Sequence, residues 1–131
     1  MPHIVVEYSA NLENQIDVLR LVEEVHQAAL HTGEFEVAAV RTRASRREYY
    51  AIADRHRDNA FVAIWVRIAP GRPPERRKRL GQEIFDAACK YLEQVYEATP
   101  IGISLEVQEI DNTAAFRKIN LPSILKERVK S

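Results

Sequence analysis

The chain has 131 residues, 46% hydrophobic and 29% charged, the length and balance of one globular domain with its own core. Nineteen lysines and arginines offset nineteen aspartates and glutamates, and a net charge of zero argues against a general nucleic-acid binder. No run approaches the roughly 20 apolar residues of a membrane span, no basic stretch followed by an apolar run marks a signal peptide, and the single cysteine, Cys89, allows no internal disulfide or cysteine-cluster metal site. A cytoplasmic protein is expected.

Pro2 to Tyr8 is rich in β-branched residues and reads as a strand, with proline tolerated at its first position. Ser9 and Asn11 break it and offer helix caps. Leu12, Ile16, Leu19, Val22, Val25 and Ala29 recur at helical spacing up to Gly33, a helix-stop signal. Val37 to Arg43 predicts a short second strand, and the polar stretch Ala44 to Asp58 a loop with a helical turn. The order then repeats. Ala60 to Ile68 is almost wholly apolar, as in a strand buried on both faces. Pro70, Gly71, Pro73 and Pro74 set a turn and a helix start. Leu80, Ile84, Ala88, Tyr91 and Val95 give a second amphipathic helix. Ile101 to Ile110 alternates, with Ile103, Leu105 and Val107 on one face and Ser104, Glu106 and Gln108 on the other. A charged tail follows.

The fold class expected is α/β (α+β): two βαβ units, in residues 2–43 and 60–110, forming a four-stranded mixed sheet in one domain, with a C-terminal tail at 111–131. Each crossover should be right-handed. If the units lie antiparallel, both helices fall on one sheet face and the other stays partly apolar, which points to a symmetric oligomer; the competing expectation is that 113–125 folds back over that face. Charge is unevenly spread. Residues 41–79 carry twelve basic and four acidic side chains, and eleven of the twelve are arginine, the side chain whose planar fork fits carboxylates and phosphates.

Glycine-rich phosphate loops, HExxH and GxSxG are all absent. His26 and His31 are too badly spaced to share a helix face and read as surface or edge residues. Cys89, beside Ala87 and Ala88, reads as a small core residue rather than a nucleophile. What remains is Pro2. Initiator methionine is usually removed before proline, leaving a secondary amine held rigidly at the start of a strand. Burial and nearby cations push such an amine towards neutral pKa, where a general base works best. Arg41, after the first helix, and Arg72, in the turn before the second, are placed to fix a carboxylate.

Met1-Pro2-His3 with Val6-Glu7-Tyr8-Ser9 and Asn11, Thr32-Gly33 with Phe35, Arg41-Thr42-Arg43, Ala60-Phe61-Val62, Gly71-Arg72 with Glu75 and Arg77, Phe85, and Leu105-Glu106 with Glu109-Ile110 together resemble the 5-carboxymethyl-2-hydroxymuconate isomerase family of the tautomerase superfamily. The resemblance spans nearly the whole chain. It implies a tautomerase-like fold, a homotrimer, and an intramolecular isomerase that needs no metal or cofactor. The reaction implied converts a 2-hydroxymuconate dienol to its 2-oxo isomer in aromatic catabolism, on the path that degrades homoprotocatechuate. Carried over by position, Pro2 is the catalytic base, Arg41 and Arg72 bind a small anionic di- or tricarboxylate, and Arg43 is a third contact.

Two other functions fit the same chain: a superfamily enzyme acting on another enol or 2-oxo acid, and a catalytically silent anion-binding trimer. The βαββαβ order also suits sheets that stack nucleic-acid bases. Here only Phe61 and Trp65 lie on the relevant strand, and the basic-Gly-aromatic signature is missing, so neither nucleic acid nor membrane is expected as a partner.

Overall fold

The computed structural model describes residues 1–130. Four strands, β1 (His3–Ser9), β2 (Arg41–Arg47), β3 (Ala60–Ile68) and β4 (Ile101–Glu109), form one sheet in the order β2-β1-β3-β4. β1 pairs with β2 and β3 with β4 in parallel, while the central pair β1–β3 is antiparallel. Helix α1 (Val18–His31) connects β1 to β2, and α2 (Pro74–Tyr91) with the short α3 (Glu93–Ala98) connects β3 to β4. This is the mixed four-stranded sheet expected from the order of apolar runs.

Alternation along the strands decides which face is buried. Ile4, Val6 and Tyr8 of β1 and Ala60, Val62, Ile64, Val66 and Ile68 of β3 point to the helices and are buried there with Leu21, Val25, Ala29, Leu80, Ile84 and Ala88. α2 comes close to β4 at Gly81, where a Cβ would stand 2.9 Å from Val107 Cγ2. The opposite face carries Val5, Phe61, Ala63 and Trp65 on the central strands, flanked by His3, Glu7, Arg41 and Arg43. Trp65 remains 37% exposed there.

Three local expectations are corrected. The second strand is not Val37 to Arg43. Val37–Ala39 forms a single 3₁₀ turn, and β2 begins at Arg41 and runs to Arg47, taking the first four residues of the stretch expected to be loop, while 48–58 carries no strand or helix. Its residues are too polar to read as a strand, but it is an edge strand, where charge is tolerated. Cross-strand ion pairs hold it: Arg47 Nε donates to Glu7 Oε2 at 2.8 Å, and Arg46 pairs with Glu13. Second, the helix does not begin near Leu12. That residue is buried in a separate 3₁₀ turn, and α1 starts after Asp17, whose carboxylate accepts from Arg20 N at 3.2 Å. The buried stripe is therefore Leu21, Val25 and Ala29, and Leu19 is exposed. Third, the competing expectation fails in its extent: the tail meets the open sheet face only near His3 and Arg67. After a 3₁₀ turn at Asn112–Ala114 it runs to a helix, α4 (Leu121–Lys130), which packs on the Val37–Ala39 turn. The tail thus crosses the end of the sheet where β1 begins.

Among the described residues, no helix is long and apolar enough to cross a membrane.

Candidate active site

The site lies at the end of the sheet where β1 starts and β3 stops. Pro2 is buried, and its carbonyl accepts a hydrogen bond from Arg41 N at 3.2 Å. This backbone bond extends the β1–β2 ladder and fixes the N-terminal residue as rigidly as a strand. A cavity of about 400 Å³ opens beside it, walled by Met1, Pro2, Glu34, Phe35, Arg72 and Arg117 among others. Larger grooves exist, including one of about 1130 Å³ between α1 and α2, but none of the expected site residues lines it.

Arg72 is held from several sides. Gly71, at φ +114°, makes the turn that a side-chain-bearing residue would strain to follow, and delivers Arg72 just ahead of α2. Its Nε donates to Glu34 Oε1 at 2.9 Å and its Nη2 to the Glu34 carbonyl at 2.8 Å. Its guanidinium carbon sits 5.1 Å from the Phe35 ring centroid, a cation–π arrangement. Glu34 follows the end of α1, where Thr32 Oγ1 accepts from Glu34 N at 3.2 Å. Its carboxylate is 5% exposed and also meets Arg76 and Arg79. Hydrogen bonds from Arg76 and Arg72 hold its pKa down to about 2, so it is an anion at every physiological pH.

Arg41 opens β2 rather than ending it. Its Nη1 donates to the Ala39 carbonyl at 2.8 Å, folding the side chain onto the 3₁₀ turn. No anion pairs with it among the described residues. Arg43 lies two residues further along the open face and donates from Nη1 to His3 Nδ1 at 3.1 Å. Burial first, then Arg43 and Arg41, lower the His3 pKa, so the ring is a neutral acceptor. Arg43 does not line the Pro2 cavity. Cys89 is half-buried, and burial raises its thiol pKa, the opposite of what a nucleophile needs.

The N-terminal amine reports the field at this end. Its pKa is lowered by burial first, then by Arg117, Arg41 and Arg72. The structure therefore brings Pro2 and Arg72 to one cavity; Arg41 reaches Pro2 through its backbone N–H, but its side chain, like that of Arg43, does not line that cavity. Glu34 and Arg117 were not legible as site residues. Glu34 is one of seven acids in the first forty residues, and only its proximity to Gly33 and Phe35 marked it. Arg117 sits in a tail with no periodicity.

A buried amino-terminal strand end beside a small cavity walled by Arg72 and Arg117 sits on a tautomerase-type fold. A fused 4-OT solved as an asymmetric trimer has this fold, with a TM-score of 0.64 at 14% identity over 94% of this chain and 98% of its own. Within that fold class the chain belongs to the 5-carboxymethyl-2-hydroxymuconate isomerase family, whose model matches residues 2–125. The 5-carboxymethyl-2-hydroxymuconate Delta-isomerase of Escherichia coli is 29% identical over 126 residues, covering 96% of this chain and 100% of that protein. The crystal structure of a 5-carboxymethyl-2-hydroxymuconate isomerase from Deinococcus radiodurans R1 is 27% identical and superposes with a TM-score of 0.86 over 95% of this chain and 93% of that one.

Proposed function

We propose that this protein isomerises 5-carboxymethyl-2-hydroxymuconate to its 2-oxo isomer, with Pro2 as the base. In the full-length chain the Pro2 nitrogen is an amide; removal of Met1 turns it into a secondary amine at the same strand end. The observation that supports this reading best is the environment next to Pro2: the half-buried Met1 amine, one residue away, has its pKa lowered by burial and then by Arg117, Arg41 and Arg72. Burial and the same cations disfavour the protonated form of the amine that removal of Met1 exposes on Pro2.

The chemistry follows from that placement. The amine takes the proton of the 2-hydroxyl group, the oxygen becomes a carbonyl, and the double bonds shift along the diene. The same amine, now protonated, returns a proton to a carbon further along. Arg72 and Arg41 hold carboxylates and offset the negative charge that builds on the dienolate between the two transfers. Glu34 fixes the Arg72 fork before substrate arrives, so little reorientation is needed in the reaction. No cofactor enters this sequence.

In this reading the chain works as one domain, with residues 2–43 and 60–110 as a pseudo-repeat and 111–131 as a tail. It assembles as a homotrimer, as the family resemblance implies, and Val5, Phe61, Ala63 and Trp65 leave an apolar strip on the open sheet face that closed symmetry would cover. As an enzyme of aromatic catabolism it belongs in the cytoplasm.

An ultraviolet assay of protein whose mass shows loss of Met1 tests the proposal. Turnover of 5-carboxymethyl-2-hydroxymuconate with kcat/KM above ~10⁴ M⁻¹s⁻¹ is expected for a true substrate. A non-removable residue placed ahead of Pro2 acylates the amine and should cut kcat by ~10²–10⁴ with the fold intact. Absence of turnover by the processed protein, or full activity of the extended one, refutes the proposal.

A further inference from the structure

We infer that Arg117, carried in by the C-terminal tail, is the residue that recognises the third carboxylate of a tricarboxylate substrate and so sets specificity for it over a dicarboxylate. The inference rests on the function proposed above and assigns a subsite within it.

The argument starts from what each arginine at the site is already doing. Arg72 has its charge offset by Glu34 at 2.9 Å and two of its donors engaged by that residue. Arg41 has its Nη1 turned onto backbone carbonyls. Arg117 makes no hydrogen bond or ion pair with any described residue, although it is close enough to the N-terminus to be the strongest cation acting there. Arg117 is exposed, and a full charge at a cavity wall with no donor engaged by a described residue is a binding group for an anion.

Its position fits a far carboxylate. Arg117 lines the Pro2 cavity of about 400 Å³ together with Arg72. It also lines a second cavity of about 660 Å³, with His3, Arg67 and Phe116. Met1, Ala69 and Arg117 are common to both walls. Once Met1 is gone, Arg117 stands at the passage between them. Arg67 likewise makes no ion pair, which adds positive potential in that second cavity. Asp111 is an acid of that second wall, and its carboxylate is occupied by Thr113 N at 3.0 Å and Thr113 Oγ1 at 2.6 Å. A substrate held near Pro2 by Arg72 and Arg41 therefore has its remaining anionic arm directed at Arg117. 5-Carboxymethyl-2-hydroxymuconate has three carboxylates, and 2-hydroxymuconate has two.

The tail itself is anchored, so Arg117 is presented by a fixed segment. Ile110 N donates to Ile68 O at 2.8 Å at one end, and α4 packs on the Val37–Ala39 turn at the other. The segment between lies across the mouth of the site.

The experiment compares wild type and Arg117→Ala on the two dienols. Loss of a charge-assisted contact should lower kcat/KM for the tricarboxylate by ~10–100-fold, through KM, and should change the dicarboxylate several-fold less. Arg117→Lys should recover part of the difference. Equal losses on both substrates, or no loss, overturn the assignment. Calorimetric binding of propane-1,2,3-tricarboxylate and pentanedioate gives a readout that needs no turnover. Wild type should prefer the triacid by about tenfold and Arg117→Ala should bind both alike; a preference that survives the substitution, or is missing from wild type, overturns it. Wild-type turnover tests the proposed function separately, so the two can fail independently.

Discussion

Replacing Glu34 by Gln removes one charge from the most heavily paired carboxylate of the molecule while keeping its shape and an acceptor for Arg72 Nε. The carboxylate is held at a pKa of about 2 against an ordinary 4.5. At 1.36 kcal/mol per pH unit the full drop would correspond to ~3 kcal/mol of folding free energy. Arg76 and Arg79 are 50% and 64% exposed, so water screens much of their attraction, and ~1–2 kcal/mol is the expected loss at pH 7. For a chain of this length that lowers Tm by roughly 4–8 °C. The sign follows from the direction of the pKa. A depressed carboxylate contributes stability that is complete above 4.5 and is lost as pH falls towards 2. Urea unfolding of wild type and Glu34→Gln at pH 7, 5, 4 and 3 reads it directly. The gap between them should hold from pH 7 to 5 and shrink to less than half by pH 3. A gap that is independent of pH would refute the reasoning, because it would place the cost in packing rather than charge. The same variant should raise KM for the dienol substrate several-fold, since the Arg72 fork loses its charged brace.

Two further outcomes are expected. The pH profile of kcat/KM for the Met1-free protein should rise to a plateau as the Pro2 amine loses its proton, at an inflection lowered by the burial, Arg117, Arg41 and Arg72 that already lower the adjacent Met1 amine; Arg117→Ala should move the inflection upward, and a profile identical in the two proteins would show that Arg117 does not act on the base. Gly81→Ala should destabilise by ~1–2 kcal/mol in denaturant unfolding, because the new methyl meets Val107 Cγ2 at 2.9 Å and Leu105 Cδ2 at 3.5 Å, and the stiff Val107 side chain resists giving way; a variant as stable as wild type would mean that β4 yields.

Much of this molecule was legible from its residues because the signals are local. β1, β3 and β4 announce themselves by apolar alternation or apolar runs, and α2 by Leu80, Ile84 and Ala88, all of which are buried. Pro70, Gly71 and Pro74 place Arg72 in its turn whatever surrounds it. The two parallel units and the mixed sheet follow from that order. The resemblance carried by Pro2, Arg41-Thr42-Arg43 and Gly71-Arg72 pointed to the family that the comparison with known chains establishes. α1 was found, but its start and its face were misjudged, because Leu12 and Ile16 fall in helical phase with residues they do not join.

Tertiary structure decided the rest, and the reason is sequence distance. β2 is a strand because it pairs with β1 along its whole length, with Arg47 reaching Glu7 on that strand and Arg46 reaching Glu13 beyond it, not because its residues favour extension. Arg72 and Glu34 are 38 positions apart, so neither the depressed carboxylate nor the braced guanidinium has a local signature. Arg117 gained its place only when the tail crossed the end of the sheet, where no periodicity foretold it. A chain announces what each segment buries; which charges meet, and which one is left unpaired facing a cavity, is settled only when the segments pack.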